Sequence, residues 1–474
     1  QSIKQFTRHR VQSSHLRCNC LVFMAQTAEK KILLLGCGLV VPPLVQYLNK
    51  HGFLLTIATR TPSKADSILA TLERPENVSV VKFDIEQKDA LAELDGLTQK
   101  ADIVLSLLPY LFHVKAAEIA IKHKVHFCTA SYVSSEMEAL DQQAKDAGII
   151  LLNEIGVDPG LDHMSAMKVI DAAHAKGGKV VSFTSLCGGL PAPAANDNPW
   201  GYKLSWSPRG VLLASKNSAK YLEHNKVVDV VGEDLFAAKN VRTETVEPIG
   251  KLEWYLNRDS TSYQKIYSIP ESSTCIRGTY RYIGWCKLLK GIADLDLTSL
   301  NPIEVGGLTI LEAAKKILGT ESDPRTVIAK KLNIPLDDEI IHKLEWIGLF
   351  STKITVPKTV NTALDVLGYL CADKLVYTEN EKDMILMKHT FEIEYGSKSE
   401  SITSTMIDYG QQDLPNGNSS MARTVSLPLA IAVRKILIGE INLTGIQRPV
   451  IPELYNPILE EMAELGVKFV EEKH

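Results

Sequence analysis

Between Lys31 and Ile150 short apolar runs alternate with stretches whose apolar residues recur every three or four positions. A run of about five apolar residues without polar alternation suits a strand covered on both faces, and the helical stretches supply the crossovers that a parallel sheet requires. The pattern predicts strands at Lys31–Leu35, Leu54–Thr59, Val78–Phe83, Ile103–Leu107, Val125–Thr129 and Ile149–Asn153. Crossover helices are expected at Pro43–Lys50, Lys64–Leu72, Ala90–Leu97, Phe112–Lys122 and Ser135–Ala147.

After Glu154 the rhythm becomes turn-rich, with Cys187-Gly-Gly-Leu-Pro-Ala-Pro and Asn196–Gly201 interleaved with Trp200 and Trp206. Residues Leu288–Gly348 read as several helices joined by polar connections. Met384–Tyr395 and Ser401–Tyr409 read as two long strands joined through Gly396-Ser-Lys-Ser. A last apolar helix is expected at Ser426–Ile438, with Pro428 in its first turn, where a missing N–H costs little. The expected fold is α/β: a Rossmann-type doubly wound parallel sheet plus an α+β substrate domain with a helical insertion. Its divisions are a leader outside the fold (1–23), a dinucleotide-binding domain (24–153) to which a segment of about 420–474 returns, a substrate domain (154–287 and 349–419) and a helical subdomain (288–348).

Composition narrows the function classes. Hydrophobic residues make up 45% and charged residues 23% of the 474 positions, as in folded globular proteins, and no apolar run reaches the ~20 residues of a membrane span. A net charge of −4 without an extended basic stretch in the body of the chain argues against nucleic acid and for small-molecule partners. Eight scattered cysteines lack paired metal spacing, so no metal is expected and a reduced, cytoplasmic setting fits best. A homodimer stays open. Residues 1–23 carry Lys4, Arg8, Arg10 and Arg17 and no acid, a trait shared with transit peptides. Gln1 at the start and Met24 shortly before the first strand favour upstream sequence instead.

The first strand runs directly into Gly36-Cys37-Gly38-Leu39-Val40-Val41 and then a helix, giving G-x-G-x-x-V. The first glycine permits the tight turn, and the second lets backbone approach a pyrophosphate held by the helix N-terminus. Val41 replaces the usual third glycine, which should loosen helix–strand packing slightly. The second strand ends on Thr59-Arg60-Thr61, and no Asp or Glu lies between Glu29 and Asp66. An acid there would select NAD, whereas a guanidinium flanked by hydroxyls suits the 2′-phosphate of NADP. Asp84-Ile85 after the third strand suits either an adenine contact or a helix cap. Ser106-Leu107-Leu108-Pro109-Tyr110 ends the fourth strand near the expected nicotinamide crevice.

Asn153-Glu-Ile-Gly-Val-Asp158-Pro-Gly160-Leu-Asp162-His163 closes the sixth strand and opens a helix. Asp158 is expected as its N-cap with Pro159 at the first helical position, or as part of a reaction site in which Asp162 or His163 could move a proton. Cys187–Pro191, Tyr202–Gly210 and Asn257-Arg258-Asp259-Ser260 are further turn clusters, and arginines in turns suit carboxylates.

These blocks, in this order, together with Trp346–Phe350, Asn361–Asp365 and Asn380–Met384, resemble the NADP-dependent saccharopine reductases, the L-glutamate-forming saccharopine dehydrogenases of lysine biosynthesis. The resemblance covers about Lys30 to the C-terminus. It implies an interdomain active site at which L-glutamate and 2-aminoadipate 6-semialdehyde condense to an imine that is reduced to saccharopine. It further implies cofactor contacts at Gly36, Cys37, Gly38, Leu39, Val40, Thr59, Arg60, Thr61, Asp84, Ile85, Ser106, Leu107 and Leu108. Substrate contacts are implied at Tyr110, Ser131, Tyr132, Arg209, Asn257, Arg258 and Asp259, with Tyr110, Asp158 and Cys187 as catalytic candidates. Two other readings compete. A polyamine-type imine-reducing synthase should need fewer arginines around its substrate, and a non-catalytic NADP sensor would have no reason to keep Arg209 and Arg258.

Overall fold

The computed structural model describes residues 30–474. The expected leader lies outside the described residues. The chain forms two compact units, one reaching through Lys168 and including Ala422–Val467, the other Val169–Met421 with Lys468–His474.

The first unit holds a seven-stranded sheet. Its strands β1 (Lys31–Leu35), β2 (Leu54–Thr59), β3 (Val78–Lys82), β4 (Ile103–Ser106), β5 (His126–Cys128) and β6 (Ile150–Leu152) are joined by Gly445–Gln447 at the β6 edge. All pairs are parallel, in the order Gly445–Gln447, β6, β5, β4, β1, β2, β3. β1 and β4 are buried almost throughout, which is why their sequences run apolar without alternation. Leu33, Leu35, Val104, Phe127 and Leu151 build one core with Ala116, Ala117 and Ala120 of the helix His113–His123. The strand order reverses between β1 and β4, so the crevice of a doubly wound sheet opens at the carboxyl ends of these two strands.

Two crossovers differ from the sequence expectation. In place of a helix over Lys64–Leu72, a 3-10 turn Pro62–Ala65 leads into a single helical turn, Asp66–Leu69. The Thr71 hydroxyl donates to the Ile68 carbonyl at 2.7 Å, and this local bond competes with helix continuation. Ser135–Ala147 is two helices, Ser135–Glu138 and Asp141–Ala147. Between them the Leu140 N–H reaches back three residues to the Met137 carbonyl at 3.0 Å, tightening the turn while both side chains stay in the core.

The second unit is built on a mixed nine-stranded sheet. Its spine runs Arg242–Val246, Gly250–Leu256, Thr274–Tyr282, Lys179–Pro191, Asp383–Tyr395, Lys398–Tyr409 and Val470–Lys473, with Ala219–Glu223 and Lys226–Val230 branching from Thr274–Tyr282. The chain's last strand pairs here, not with the parallel sheet. Helices Trp285–Asp294, Ile310–Leu318, Pro324–Leu332, Glu339–Ile347 and Ala363–Lys374 share one core with the sheet through Trp200, Tyr202, Trp254, Trp285 and Leu344.

Three further expectations are corrected. Cys187-Gly-Gly-Leu-Pro191 is no turn but the second half of the strand Lys179–Pro191, inside the sheet between Thr274–Tyr282 and Asp383–Tyr395. Arg209 sits not in a turn but in a short helix, Pro208–Leu213, where the Ser207 hydroxyl accepts the Gly210 N–H at 3.3 Å and Pro208 opens the first turn. Pro428 lies in the interior of a helix that begins at Ser420. That earlier start is fixed from another strand: the Asp383 carboxylate accepts the Ser420 and Met421 N–H groups at 2.7 and 2.8 Å, serving donors that a helix end leaves unpaired. Among the described residues no helix is long and apolar enough to cross a membrane.

Candidate active site

In the first unit a cleft of about 230 Å³ opens at the carboxyl ends of β1 to β4. Gly36, Cys37, Gly38, Thr59, Arg60, Thr61, Asp84, Ile85, Leu107 and Leu108 line it together. Each strand end contributes one block, as four parallel strands of a twisted sheet deliver their following loops to one edge. Gly36 adopts φ +101°, and a Cβ there would stand 3.1 Å from the Leu107 carbonyl oxygen. Gly38 is different: a Cβ would meet no protein atom within 4 Å, so the chain's own packing does not demand glycine there. That leaves open space over its backbone, room for a ligand to approach closely. The helix Pro42–Lys50 starts immediately behind; Pro42 and Pro43 bring no N–H, so it offers a phosphate the positive end of its dipole, and donors must come from the glycine turn before it. Val41 is fully buried between them, so the third-glycine position is filled by apolar packing.

Arg60 stands well exposed at the tip of β2, its guanidinium 3.7 Å from Glu86. An exposed pair of this kind is worth at most about 1 kcal/mol and yields readily to a dianionic partner. Lys64 brings a second cation to the cleft, and Glu86, Ala58, Phe83, Pro109 and Phe112 complete the lining. Apart from Pro109, none of these was singled out from sequence, although Lys64 follows Arg60 closely enough for its charge to have been a clue. Burial raises the Cys37 thiol, with Lys64 pulling the other way. The fit to a phosphorylated dinucleotide is therefore good: a glycine that internal sterics do not require, a helix start, and two cations with two threonines at the end of β2.

Three expected cofactor residues are placed otherwise. Leu39 is exposed beside the turn, the Val40 carbonyl accepts from the Ser426 hydroxyl, and Ser106 is fully buried with its hydroxyl turned to His113. Asp84 caps its own turn, accepting the Glu86 N–H at 3.2 Å and the Gln87 side chain at 3.4 Å while its residue lines the cleft. It does not cap a helix.

A second cluster in the same unit joins the loops after β5 and β6. The Tyr132 hydroxyl donates to the Asp158 carboxylate at 3.1 Å, so two residues singled out separately meet. Asp158 is not the expected N-cap, because the helix Leu161–His174 begins three residues later and Asp162 takes the Gly160 N–H at 2.6 Å. Asp162 and His163 turn inward and are buried. His163 bonds Glu154 at 2.7 Å, and since a carboxylate only accepts, the ring must donate. Glu154 also accepts the Val133 N–H at 2.9 Å and Arg448 Nε at 3.0 Å, while its own N–H donates to the Ser131 carbonyl. Burial alone would raise this carboxyl. The His163 hydrogen bond and charge, the Val133 N–H and Arg448 outweigh it and hold the group below the ordinary range. Ser131 bonds His113 at 2.8 Å, and Tyr110 is 73% exposed in a 3-10 turn. Glu154, His113 and Arg448 escaped the sequence reading. Arg448 comes from 294 residues away, beyond any spacing argument.

In the second unit Cys187 is buried in its strand, and Arg209 pairs with Asp365. Asn257-Arg258-Asp259 follows the strand Gly250–Leu256 not as the expected turn but as an irregular continuation, Asp259 bridging to Lys220. Arg258 adopts φ 51°, its carbonyl accepts the Lys220 N–H at 2.9 Å, and Asp259 takes the Thr261 N–H at 2.8 Å.

The parallel sheet, its glycine turn and the cation-lined cleft define a Rossmann-type dinucleotide-dependent oxidoreductase. Residues 32–152 match the saccharopine dehydrogenase NADP binding domain, and residues 156–467 match the saccharopine dehydrogenase C-terminal domain. The chain belongs to the saccharopine dehydrogenase family, and its cofactor is NADP. It is 39% identical to the saccharopine dehydrogenase [NADP(+), L-glutamate-forming] of Schizosaccharomyces pombe, over 93% of this chain and 98% of that one. It is 37% identical to the mitochondrial alpha-aminoadipic semialdehyde synthase of Bos taurus, over 94% of this chain and 48% of that one. The solved apo structure of the L-Glu-forming saccharopine dehydrogenase from Saccharomyces cerevisiae aligns with a TM-score of 0.82 at 38% identity, covering 94% of this chain and all of that one.

Proposed function

We propose that the protein interconverts saccharopine with L-glutamate and 2-aminoadipate 6-semialdehyde in lysine biosynthesis, as an NADP-dependent saccharopine dehydrogenase of the L-glutamate-forming type. The observation that carries this is the likeness to fungal enzymes of that name across nearly their whole length, in both halves of the chain. Purified protein given saccharopine and NADP should produce reduced nicotinamide, followed by its absorbance. A protein inert toward saccharopine would overturn the reading. We also place it in the cytoplasm, in keeping with eight scattered cysteines, and take a homodimer as the assembly to test by light scattering.

NADP, when bound, would supply the hydride chemistry, the oxidised form as acceptor and the reduced form as donor. The protein's part is to hold the partners and place protons. In the first unit, Gly36, Gly38 and the helix start would hold the pyrophosphate, and Thr59, Arg60, Thr61 and Lys64 the 2′-phosphate. Tyr110, Ser131, Tyr132 and Asp158 are this unit's substrate and catalytic candidates. Asp158 already accepts the Tyr132 proton, which suits the pair to orienting a polar substrate group. In the second unit Cys187, Arg209, Asn257, Arg258 and Asp259 are the candidates. Saccharopine carries three carboxylates, so fixed cations are needed, and positioning contributes more than any single acid or base.

Three variants test these assignments. A charge-assisted hydrogen bond is worth about 1.5–3 kcal/mol, so Arg60→Ala should weaken NADPH by roughly 10- to 100-fold. NADH, lacking the 2′-phosphate, should bind nearly as before; equal loss for both in fluorescence titrations would remove Arg60 from the role. Arg258→Ala should raise the saccharopine KM by a comparable factor and leave NADPH affinity alone. Arg258→Lys should recover part of it, because an ammonium lacks the planar fork. Unchanged saccharopine kinetics would refute the carboxylate contact.

A further inference from the structure

The loops after β4 and β5 enclose a ring of hydroxyls around one imidazole. His113 Nδ1 lies 2.9 Å from the Ser106 hydroxyl, and Nε2 lies 2.8 Å from Ser131 Oγ and 3.3 Å from Thr129 Oγ1. The Thr129 hydroxyl donates to the Ser106 carbonyl at 2.8 Å and accepts the Ser131 N–H at 3.3 Å. Ser106 and Thr129 are buried, whereas Ser131 is partly exposed.

Counting protons fixes the ring's tautomer. Thr129 has spent its proton on the Ser106 carbonyl, so toward the imidazole its oxygen can only accept, and Nε2 must carry hydrogen. Ser106 leads to the same result independently. Its hydroxyl is fully buried and His113 Nδ1 is its partner, so an Nδ1–H ring would leave the Ser106 proton without an acceptor. Burial keeps the ring neutral, pushing its pKa down to about 4, so one nitrogen donates and the other accepts.

We infer that His113 is a positioning residue that takes the Ser106 proton at Nδ1, donates Nε2–H to Ser131, and so leaves the Ser131 hydroxyl proton to be donated outward. Ser131 is thereby set with its proton free to recognise an acceptor, a substrate carboxylate oxygen. The inference rests on the reading that puts Ser131 on the substrate side, and it adds the direction of its hydrogen bond and the residue that sets it.

Nitrogen-15 spectra of histidine-labelled enzyme at neutral pH should show His113, assigned by its loss in His113→Gln, as the neutral Nε2–H tautomer. Kinetics supply the second arm. Ser131→Ala and His113→Phe should each raise the saccharopine KM about tenfold, and the double variant should be no worse than either. His113→Gln, which retains one donor and one acceptor, should recover part of the loss. An Nδ1–H ring would overturn the inference at the network itself. Independent losses multiplying to about a hundredfold would show that His113 does not act through Ser131. Ser131→Ala with an unchanged KM would overturn the substrate-side assignment, and the tautomer spectrum tells that failure apart from the first.

Discussion

Glu154→Ala is expected to destabilise the first unit by about 3–5 kcal/mol, because three donors lose their acceptor together and each buried one left unsatisfied costs about 1–3 kcal/mol. One carboxylate here serves three donors: the Val133 N–H at 2.9 Å, Arg448 Nε at 3.0 Å and His163 Nε2 at 2.7 Å. His163 is fully buried and Glu154 nearly so, leaving little room for water to replace the lost oxygens. Glu154 also holds φ +59°, a backbone region that a side chain disfavours and that its hydrogen bonds maintain. For a unit of this size the loss corresponds to a melting point roughly 6–20 °C lower. Glu154→Gln should fall between, since the amide keeps one acceptor but cannot balance the Arg448 guanidinium. Calorimetry of both variants decides the matter; an Ala variant melting within a degree or two of the parent would remove Glu154 from this role.

How far the sequence carried the fold depends on whether each element declares itself locally. The strands around β1 and β4 did so, because burial on both faces leaves them apolar throughout, and the glycine turn did so because its position between strand and helix is diagnostic. The strand Lys179–Pro191 did not. Its two glycines and proline read as a turn, yet a Cβ on Gly188 would come within 2.7 Å of the Tyr280 Cβ, so the glycine admits a neighbouring strand and does not bend the chain. The start of the helix at Ser420 was invisible for a related reason, its cap Asp383 being supplied by a strand distant in sequence. At the site, residues with a motif around them, such as Gly36, Arg60 and Asp158, could be picked out. His113, Glu154 and Arg448 carry their meaning only through partners that folding brings to them.

Acid should cost the first unit stability well above the pH at which carboxylates titrate, and His113 supplies the reason. Its folded pKa is pushed down to about 4 by burial, against about 6.5 for a free histidine. As pH falls below that free value the unfolded chain takes up a proton that the folded ring refuses, so the unfolded state binds more protons and folding stability declines. The decline continues until pH reaches the folded value, below which both states are protonated and the contribution is exhausted. At ~1.4 kcal/mol per unit over ~2.5 units, about 3.5 kcal/mol is at stake. Glu154, held below the ordinary carboxylate range, acts later: its stabilisation is present above its unfolded value and lost as pH falls through the folded one. His51 and His126, also lowered by burial, add to the slope below pH 6.5, so the parent curve alone does not isolate His113. The difference between parent and variant does. Urea unfolding at pH 7, 6 and 5 should show the parent losing roughly 1–2 kcal/mol more than His113→Gln or His113→Phe over that range, and parallel curves for parent and both variants would mean that His113 is not held neutral by its burial.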